Sequence, residues 1–167
     1  MTSETAKILA DYLLGNLRHE FNVSRKVIAA VPTAESSYKP SEKCMSGIEL
    51  AAHLATAEYF FLDGILNGAF RPSPPPELKS TEEILAWYDA TIPPMYDKVA
   101  AMTGEQLAAP INFMNFMNEP AVIYLGLNLK HSIHHRGQLS SYLRPMGSKV
   151  PGIYGPSGDE PIKAAQA

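Results

Sequence analysis

The histidines are the residues of this sequence whose type and spacing are best suited to chemistry. Three of the five lie close together, at His131, His134 and His135. In a helix, side chains four residues apart lie on one face, so His131 and His135 can direct two imidazoles at one centre. His134 lies about 100° around the helix from His135 and cannot easily join them. The spacing indicates a pair of metal ligands.

A further histidine, His53, falls on the apolar face of an earlier helical pattern, between Leu50 and Leu54. A single histidine in such a position is often a hydrogen-bonded structural residue, and exposed helices also carry histidine pairs. Together, one histidine on an apolar face and a pair on a second helix favour a shared three-histidine site. Three neutral imidazoles suit one divalent transition metal, with Zn or Ni first and Fe or Cu as alternatives, and leave positions open for water or substrate.

Other common catalytic sites find no support in the sequence. A ferritin-like di-iron centre needs Glu-x-x-His repeats, and no histidine here has Glu three residues before it. The metalloprotease motif His-Glu-x-x-His is also absent, because Phe21, Asn22 and Val23 follow His19 and Glu20. No glycine-rich phosphate loop is visible, and spacing alone singles out no Ser-His-Asp triad.

Four long helical patterns must position these side chains. They cover about residues 5–31, 46–67, 80–102 and 119–144, with apolar residues recurring at helical spacing. Ser46 and Glu49 read as a capping box at the start of the second pattern, and Gly68 as its terminator. Pro93 and Pro94 predict a kink in the third pattern, or two helices meeting at Pro93. The chain is therefore predicted to be all-α, a four-helix bundle.

The segments outside the helices are irregular. Residues 70–77 are rich in proline and predict a stiff connector. Residues 112–118 predict a loop whose Met and Phe side chains tuck into the core, with a Met-rich soft-metal site as the alternative. The bundle domain is predicted to cover residues 1–147, and residues 148–167 to form an irregular tail packed on it. Tyr12, Tyr124 and Tyr142 are predicted to be core aromatics.

Composition limits what such a protein binds and where it acts. The 167 residues are 46% apolar and carry a formal net charge of -3. This balance gives no attraction for nucleic acid or for anionic membranes. No apolar run approaches the ~20 residues of a membrane span, no secretion signal is visible, and the single cysteine, Cys44, cannot form an internal disulfide. These features predict a soluble cytoplasmic protein.

The residues around the predicted site resemble those of the DinB-like (damage-inducible) metal-binding four-helix bundles. The similarity runs from about residue 3 to residue 161 and rests on His53 in the second helix and on His131-x-x-x-His135-Arg136-Gly137-Gln138 in the last. The His-Arg-Gly-Gln ending is its most specific part. The resemblance implies an up-down-down-up bundle, which suits the long connections, with His53, His131 and His135 as the metal ligands.

The resemblance also implies a class of reaction. The best-understood members of that family use the metal to activate a low-molecular-weight thiol for transfer or isomerisation. A metal-dependent transferase that acts on a small molecule with a small thiol is therefore the leading hypothesis. A metal-dependent hydrolase and a non-catalytic metal-binding stress-response protein are the alternatives. Apolar surface on the outer helices and the resemblance together predict a homodimer.

Further residues are candidates for supporting the ligands or binding substrate. Gln138 can orient a ligand or a bound water, and Asn128 lies on the same polar stripe of the last helix. Glu49 can accept the N–H of His53, or can simply complete its capping box. Tyr154, in the tail, is a candidate cover for the opening of the site, with packing on the outside of the bundle as the alternative.

The residue after the second ligand of the pair, Arg136, is expected to be structural. Pairing with an acidic helix neighbour is the favoured prediction. Attraction of an anionic substrate is the alternative.

Overall fold

The regular structure consists of four long helices, one short helix and a small hairpin. The computed structural model describes residues 1–72 and 74–161. Within these residues the elements are α1 (Ser3–Ala29), α2 (Gly47–Asn67), α3 (Thr81–Ala100), α4 (Gly104–Ala108), β1 (Pro110–Phe113), β2 (Met117–Pro120) and α5 (Ala121–Leu143). The all-α prediction is confirmed. The last residues of the predicted tail, 162–167, lie outside the described residues.

Side-chain caps explain where the long helices begin and end. At α2 the hydroxyl of Ser46 accepts from the backbone of Glu49, whose carboxylate accepts from the backbone of Ser46, so the predicted capping box is present. Gly68 ends the helix with a φ of 63°, a left-handed conformation that suits glycine. At α1 the cap is Thr2, whose side chain accepts from the backbone N–H of Thr5.

The long helices form a ring in which each packs on two neighbours. α1 packs against α3 and α5, and α2 packs against the same two helices. Between α1 and α3 the interface is closed by ion pairs at the surface, Arg18 with Asp97 and Arg25 with Asp89. α2 and α5 therefore share an extended interface, and this interface carries the three histidines singled out above.

Contacts at the helix ends show the direction of each helix. The start of α3 meets the end of α1, where Thr81 Oγ1 donates to the carbonyl oxygen of Val31 at 3.0 Å. Ser148, beyond α5, donates to the carbonyl that follows α1, and Gly47 at the start of α2 lies against Met146. α1 and α5 thus run towards this end of the bundle, and α2 and α3 run away from it. The up-down-down-up arrangement requires these directions.

α3 continues through its two prolines. The helix is assigned without interruption from Thr81 to Ala100, so the prediction of two helices meeting at Pro93 is wrong. A proline inside a helix removes a backbone hydrogen bond and costs about 3 kcal/mol. Tyr88, Ile92 and Tyr96 flank the prolines and are almost completely buried. Burial of these large side chains offsets the cost and keeps the helix in place.

The segment before α5 forms a hairpin rather than a loop. β1 and β2 pair antiparallel, with Asn112 opposite Asn118. In the turn, Asn115 takes a φ of 60° and its N–H donates to the Asn112 side chain. Phe116 is 84% exposed and Met114 59%, so the prediction that the Met and Phe side chains here tuck into the core is wrong for these two. Both residues lie in the turn between the paired strands, and their side chains face solvent.

One face of α1 that carries apolar residues is exposed to solvent. Tyr12 is 68% exposed and Ile8 65%, so the prediction that Tyr12 is a core aromatic is wrong, whereas Tyr124 and Tyr142 are buried. The core side of α1 is formed by Ala6, Ala10, Leu13, Leu14 and Leu17. No helix among the described residues is both long and apolar enough to cross a membrane.

The interior contains a carboxyl group at the centre of the bundle. Glu58 of α2 is 2% exposed and accepts hydrogen bonds from the hydroxyl groups of Tyr88 and Tyr96 of α3. Burial raises the pKa of Glu58 to about 7, and the two hydroxyl donors oppose that shift. This polar triad ties α2 to α3 inside the core.

Candidate metal centre

The three histidines predicted to share a site lie together between α2 and α5. His53 projects from α2, and His131 and His135 project from successive turns of α5. One potential ligand nitrogen from each ring lies within 4.8 Å of the other two. The ring centroids are 4.4 to 5.1 Å apart. The structure thus brings together the pair found by spacing and the single histidine of the earlier helix.

Local packing explains how each helix presents its ring. Leu50 and Leu54 flank His53 along α2 and are fully buried, so this face of α2 is held against α5 and the half-buried ring is directed into the interface. On α5, the four-residue spacing stacks His131 and His135 on one face. His134 is exposed, with its ring 4.8 Å from that of His135. It belongs to the solvent face and is outside the cluster.

The three imidazoles are neutral at physiological pH. Burial is the largest cause that lowers the pKa of each ring, and repulsion from neighbouring histidines adds to it. The pKa of His131 falls to about 4. His131 Nδ1 is buried and has no hydrogen-bond partner among the described residues. Neutral rings with free lone pairs, gathered on one point, fit a bound transition-metal ion.

Gln138 contacts one ring of the histidine cluster. Its Nε2 donates to the hydroxyl of Tyr142 at 3.2 Å, and its Oε1 lies 3.1 Å from Nδ1 of His135. An acceptor at this position keeps the ring proton on Nδ1 and leaves the lone pair of Nε2 free. The predicted role of Gln138 in orienting a ligand agrees with this geometry. The sequence analysis did not predict Tyr142 as the partner of Gln138, although the two residues are four positions apart on the same helix.

Glu49 and Asn128 do not contact the cluster through hydrogen bonds. The Glu49 carboxylate accepts from the backbone of Ser46 at 2.7 Å and lies 3.5 Å from Lys39 Nζ. Its pKa is lowered mainly by the Ser46 backbone hydrogen bond. Asn128 is completely buried, and neither polar atom of its side chain has a partner among the described residues. Glu49 therefore serves the helix start, as the capping alternative predicts.

Tyr154 lies against a buried ion pair rather than over the histidines. Its hydroxyl donates to the Glu20 carboxylate at 2.9 Å and accepts from Arg136. Arg136 also forms an ion pair with Glu20, and both residues are more than nine-tenths buried. Tyr154 is 67% exposed, and the tail packs on the bundle mainly through Val150 and Ile153. Arg136 has the acidic helix neighbour that the sequence analysis favours.

Comparison with known proteins identifies the family. The model of the DinB family matches residues 3–164. The chain belongs to the DinB family. The uncharacterized protein YjoA of Bacillus subtilis (strain 168) is 27% identical over 128 residues, which cover 75% of this chain and 83% of YjoA. The uncharacterized protein YrdA of the same organism is 40% identical over 58 residues, 35% of this chain and 34% of YrdA.

Two crystal structures share the fold of this DinB-family chain. The DinB-like protein YjoA from Bacillus subtilis superposes with a TM-score of 0.70 at 24% identity, covering 85% of this chain and 97% of YjoA. A DinB-like protein from Bacillus cereus ATCC 10987 gives a TM-score of 0.71 at 23% identity, covering 85% of this chain and 95% of that protein. The family resemblance drawn from the histidine motif is confirmed.

Proposed function

We propose that this DinB-family protein is a metal-dependent transferase that acts on a small molecule with a small thiol. One divalent transition metal would be held by His53, His131 and His135, with Zn or Ni as the first candidates and Fe or Cu as alternatives. The observation that carries the proposal is the cluster itself, three neutral imidazoles from two helices within 4.8 Å of one another.

The residues of the chain would supply the ligands and hold them in position. Neutral ligands leave the charge of a divalent ion undiminished, and an ion of this kind stabilises a thiolate at neutral pH when bound. His135 offers a single tautomer because Gln138 fixes its proton on Nδ1. Burial keeps all three rings deprotonated, so no proton has to leave before the ligands can bind at neutral pH.

A hydrolase would need a general base in addition to the metal. Glu77 lines the same pocket as His53 but lies 2.8 Å from Lys79. Glu49, the other carboxylate of that pocket, is held by Ser46 and paired with Lys39. Its pKa is lowered, which makes it a weaker base. The geometry around His53 therefore supports the transferase better than the hydrolase.

The binding of a small thiol at the metal tests this proposal. We expect that 2-mercaptoethanol changes the visible absorption of protein loaded with Co(II), because a three-histidine centre leaves a position open for the thiolate. Ethylene glycol, which carries a hydroxyl in place of the thiol, is the control and should leave the spectrum unchanged. A spectrum that does not respond to the thiol would contradict the transferase and support the non-catalytic metal-binding alternative.

A second prediction concerns Gln138. Replacing Gln138 with Ala should weaken metal affinity by about 10- to 100-fold, because His135 loses the acceptor that fixes its tautomer. The affinity is measured by competition with a chromophoric chelator. Gln138→Glu keeps an acceptor oxygen and should retain most of the affinity. An Ala variant that binds metal as tightly as the natural protein would show that Gln138 does not position the ligand.

The oligomeric state and the cellular location stay predictions. Ile8 and Tyr12 lie four residues apart on α1 and are exposed, and they are apolar surface that a homodimer would bury. For the location, the reducing cytoplasm proposed from the sequence stays the prediction.

A further inference from the structure

A groove runs along α2 beside the metal centre. Its other wall is the connector between α2 and α3, which returns along α2 towards the start of that helix. The volume enclosed is about 460 Å³. We call it the connector groove, and the residues that matter most to its walls are Ala52, His53, Thr56, Pro75, Pro76 and Leu78.

The connector groove continues past His53. A second cavity, of about 230 Å³, shares His53, Thr56, Pro75 and Pro76 with the first and extends to Phe60. His53 is thus part of the metal cluster and of both cavities. Of the three histidines, His53 is the one that lines these two cavities, so it connects the cluster to the connector groove.

The walls of the connector groove are mostly carbon. The hydroxyl of Thr56 donates to the carbonyl oxygen of Ala52 at 2.9 Å, so it is already used within the helix. The charged groups around the groove are paired with one another. Glu77 lies 2.8 Å from Lys79, and Glu49 lies 3.5 Å from Lys39. No unpaired charge among these described residues would attract an ionic ligand.

We infer that the connector groove binds an uncharged apolar part of the substrate while the reacting group of that substrate meets the metal. The inference rests on the proposed metal centre, and it adds the class of substrate. The volume of the connector groove is within the range of about 300 to 1,000 Å³ that is usual for small-molecule sites. Proline walls lose little entropy when a ligand packs on them, because their backbone is already restricted.

Alkyl hydroxamic acids test the inference without relying on thiol chemistry, because the hydroxamate binds divalent metals and the alkyl chain reports on the groove. We expect the Kd for the Zn-loaded protein to fall about fourfold for each added CH₂ from acetohydroxamate upwards, until the groove is filled. Calorimetry measures each Kd. The metal-free protein provides the background.

Thr56→Phe should fill the connector groove. In this variant the Kd of octanohydroxamate should rise by about tenfold or more while that of acetohydroxamate stays within about twofold. Thr91→Phe is the matched control, a half-buried threonine on α3 that lines a different cavity, and both Kd values should be unchanged. Leu78→Ala, outside the helices, provides a second variant and should reduce the gain per CH₂ without adding bulk.

The outcomes separate this inference from the proposed function. A Kd that does not depend on chain length in the natural protein, or a dependence equally steep in Thr56→Phe, would overturn the groove assignment. Failure of acetohydroxamate to bind would overturn the metal centre and the groove together. A chain-length dependence that is lost in Thr56→Phe, in a protein whose Co(II) spectrum ignores thiols, would support the groove and reject the transferase.

Discussion

Replacing His131 with Ala should reduce the metal content of the protein from about one equivalent per chain to nearly none. Two histidines from different helices would remain, and two neutral ligands bind a divalent ion too weakly to survive desalting. Each ring of the cluster is close to the other two, and His131 is distinguished by an Nδ1 that is buried without a partner among the described residues. Elemental analysis after loading with Zn or Ni and desalting measures the effect.

The neighbouring histidine provides the control for this experiment. His134→Ala removes an imidazole from the same helix, but that ring is exposed and outside the cluster. The His134 variant should keep its metal. Equal occupancy in the His131 variant and the natural protein would show that the ligand assignment is wrong, provided that circular dichroism shows the same helix content.

Replacing Arg136 with Met should lower the free energy of unfolding by about 3 to 5 kcal/mol. Arg136 is 1% exposed and forms an ion pair with Glu20, which is 7% exposed. Met fills a similar volume but leaves the Glu20 carboxylate buried with no cation beside it. Tyr154 loses a donor in the same variant. Urea unfolding followed by circular dichroism measures the change.

An exposed ion pair in the same bundle provides the control for the loss of stability expected in Arg136→Met. Arg25 donates to both carboxylate oxygens of Asp89 at 2.7 to 2.9 Å, but the two side chains are 44% and 38% exposed. Arg25→Met should therefore cost no more than about 1 kcal/mol. Similar losses in the two variants would mean that burial does not set the strength of the Arg136 pair. In a Glu20→Leu background, Arg136→Met should cost much less than it does alone, because no buried charge is left behind.

The long helices could be predicted because their signals are local. Ser46 and Gly68 mark the ends of α2 with a cap and a terminator that depend on neighbouring residues alone. α4 and the hairpin are too short for periodicity to reveal them, with five residues in α4 and four in each strand. Local sequence rules could not predict that α3 continues through Pro93, because the burial of Tyr88 and Tyr96 in the folded bundle stabilises the helix there.

In the candidate site too, features with a local sequence signal could be predicted, and contacts between distant residues could not. The pair on α5 was visible from its spacing, and His53 was visible because a polar residue stood on an apolar face. The partner of Arg136 could be named only as an acid, because Glu20 lies 116 positions away along the chain. The connector groove left no sequence signal, since its two walls approach each other only in the folded bundle.

The directions of α2 and α3 determine the path of the chain between them. Both helices start at the same end of the bundle, so the chain between them must travel back along the 21 residues of α2, about 30 Å. That return segment, which includes residues 74–80, forms one wall of the connector groove, whereas all three histidines lie on helices. Changes in the return segment can alter the shape of the pocket without moving a ligand. In the proposed function, the candidate metal ligands and this wall of the groove are thus encoded in different stretches of sequence, so mutation can change the wall while the histidines are preserved.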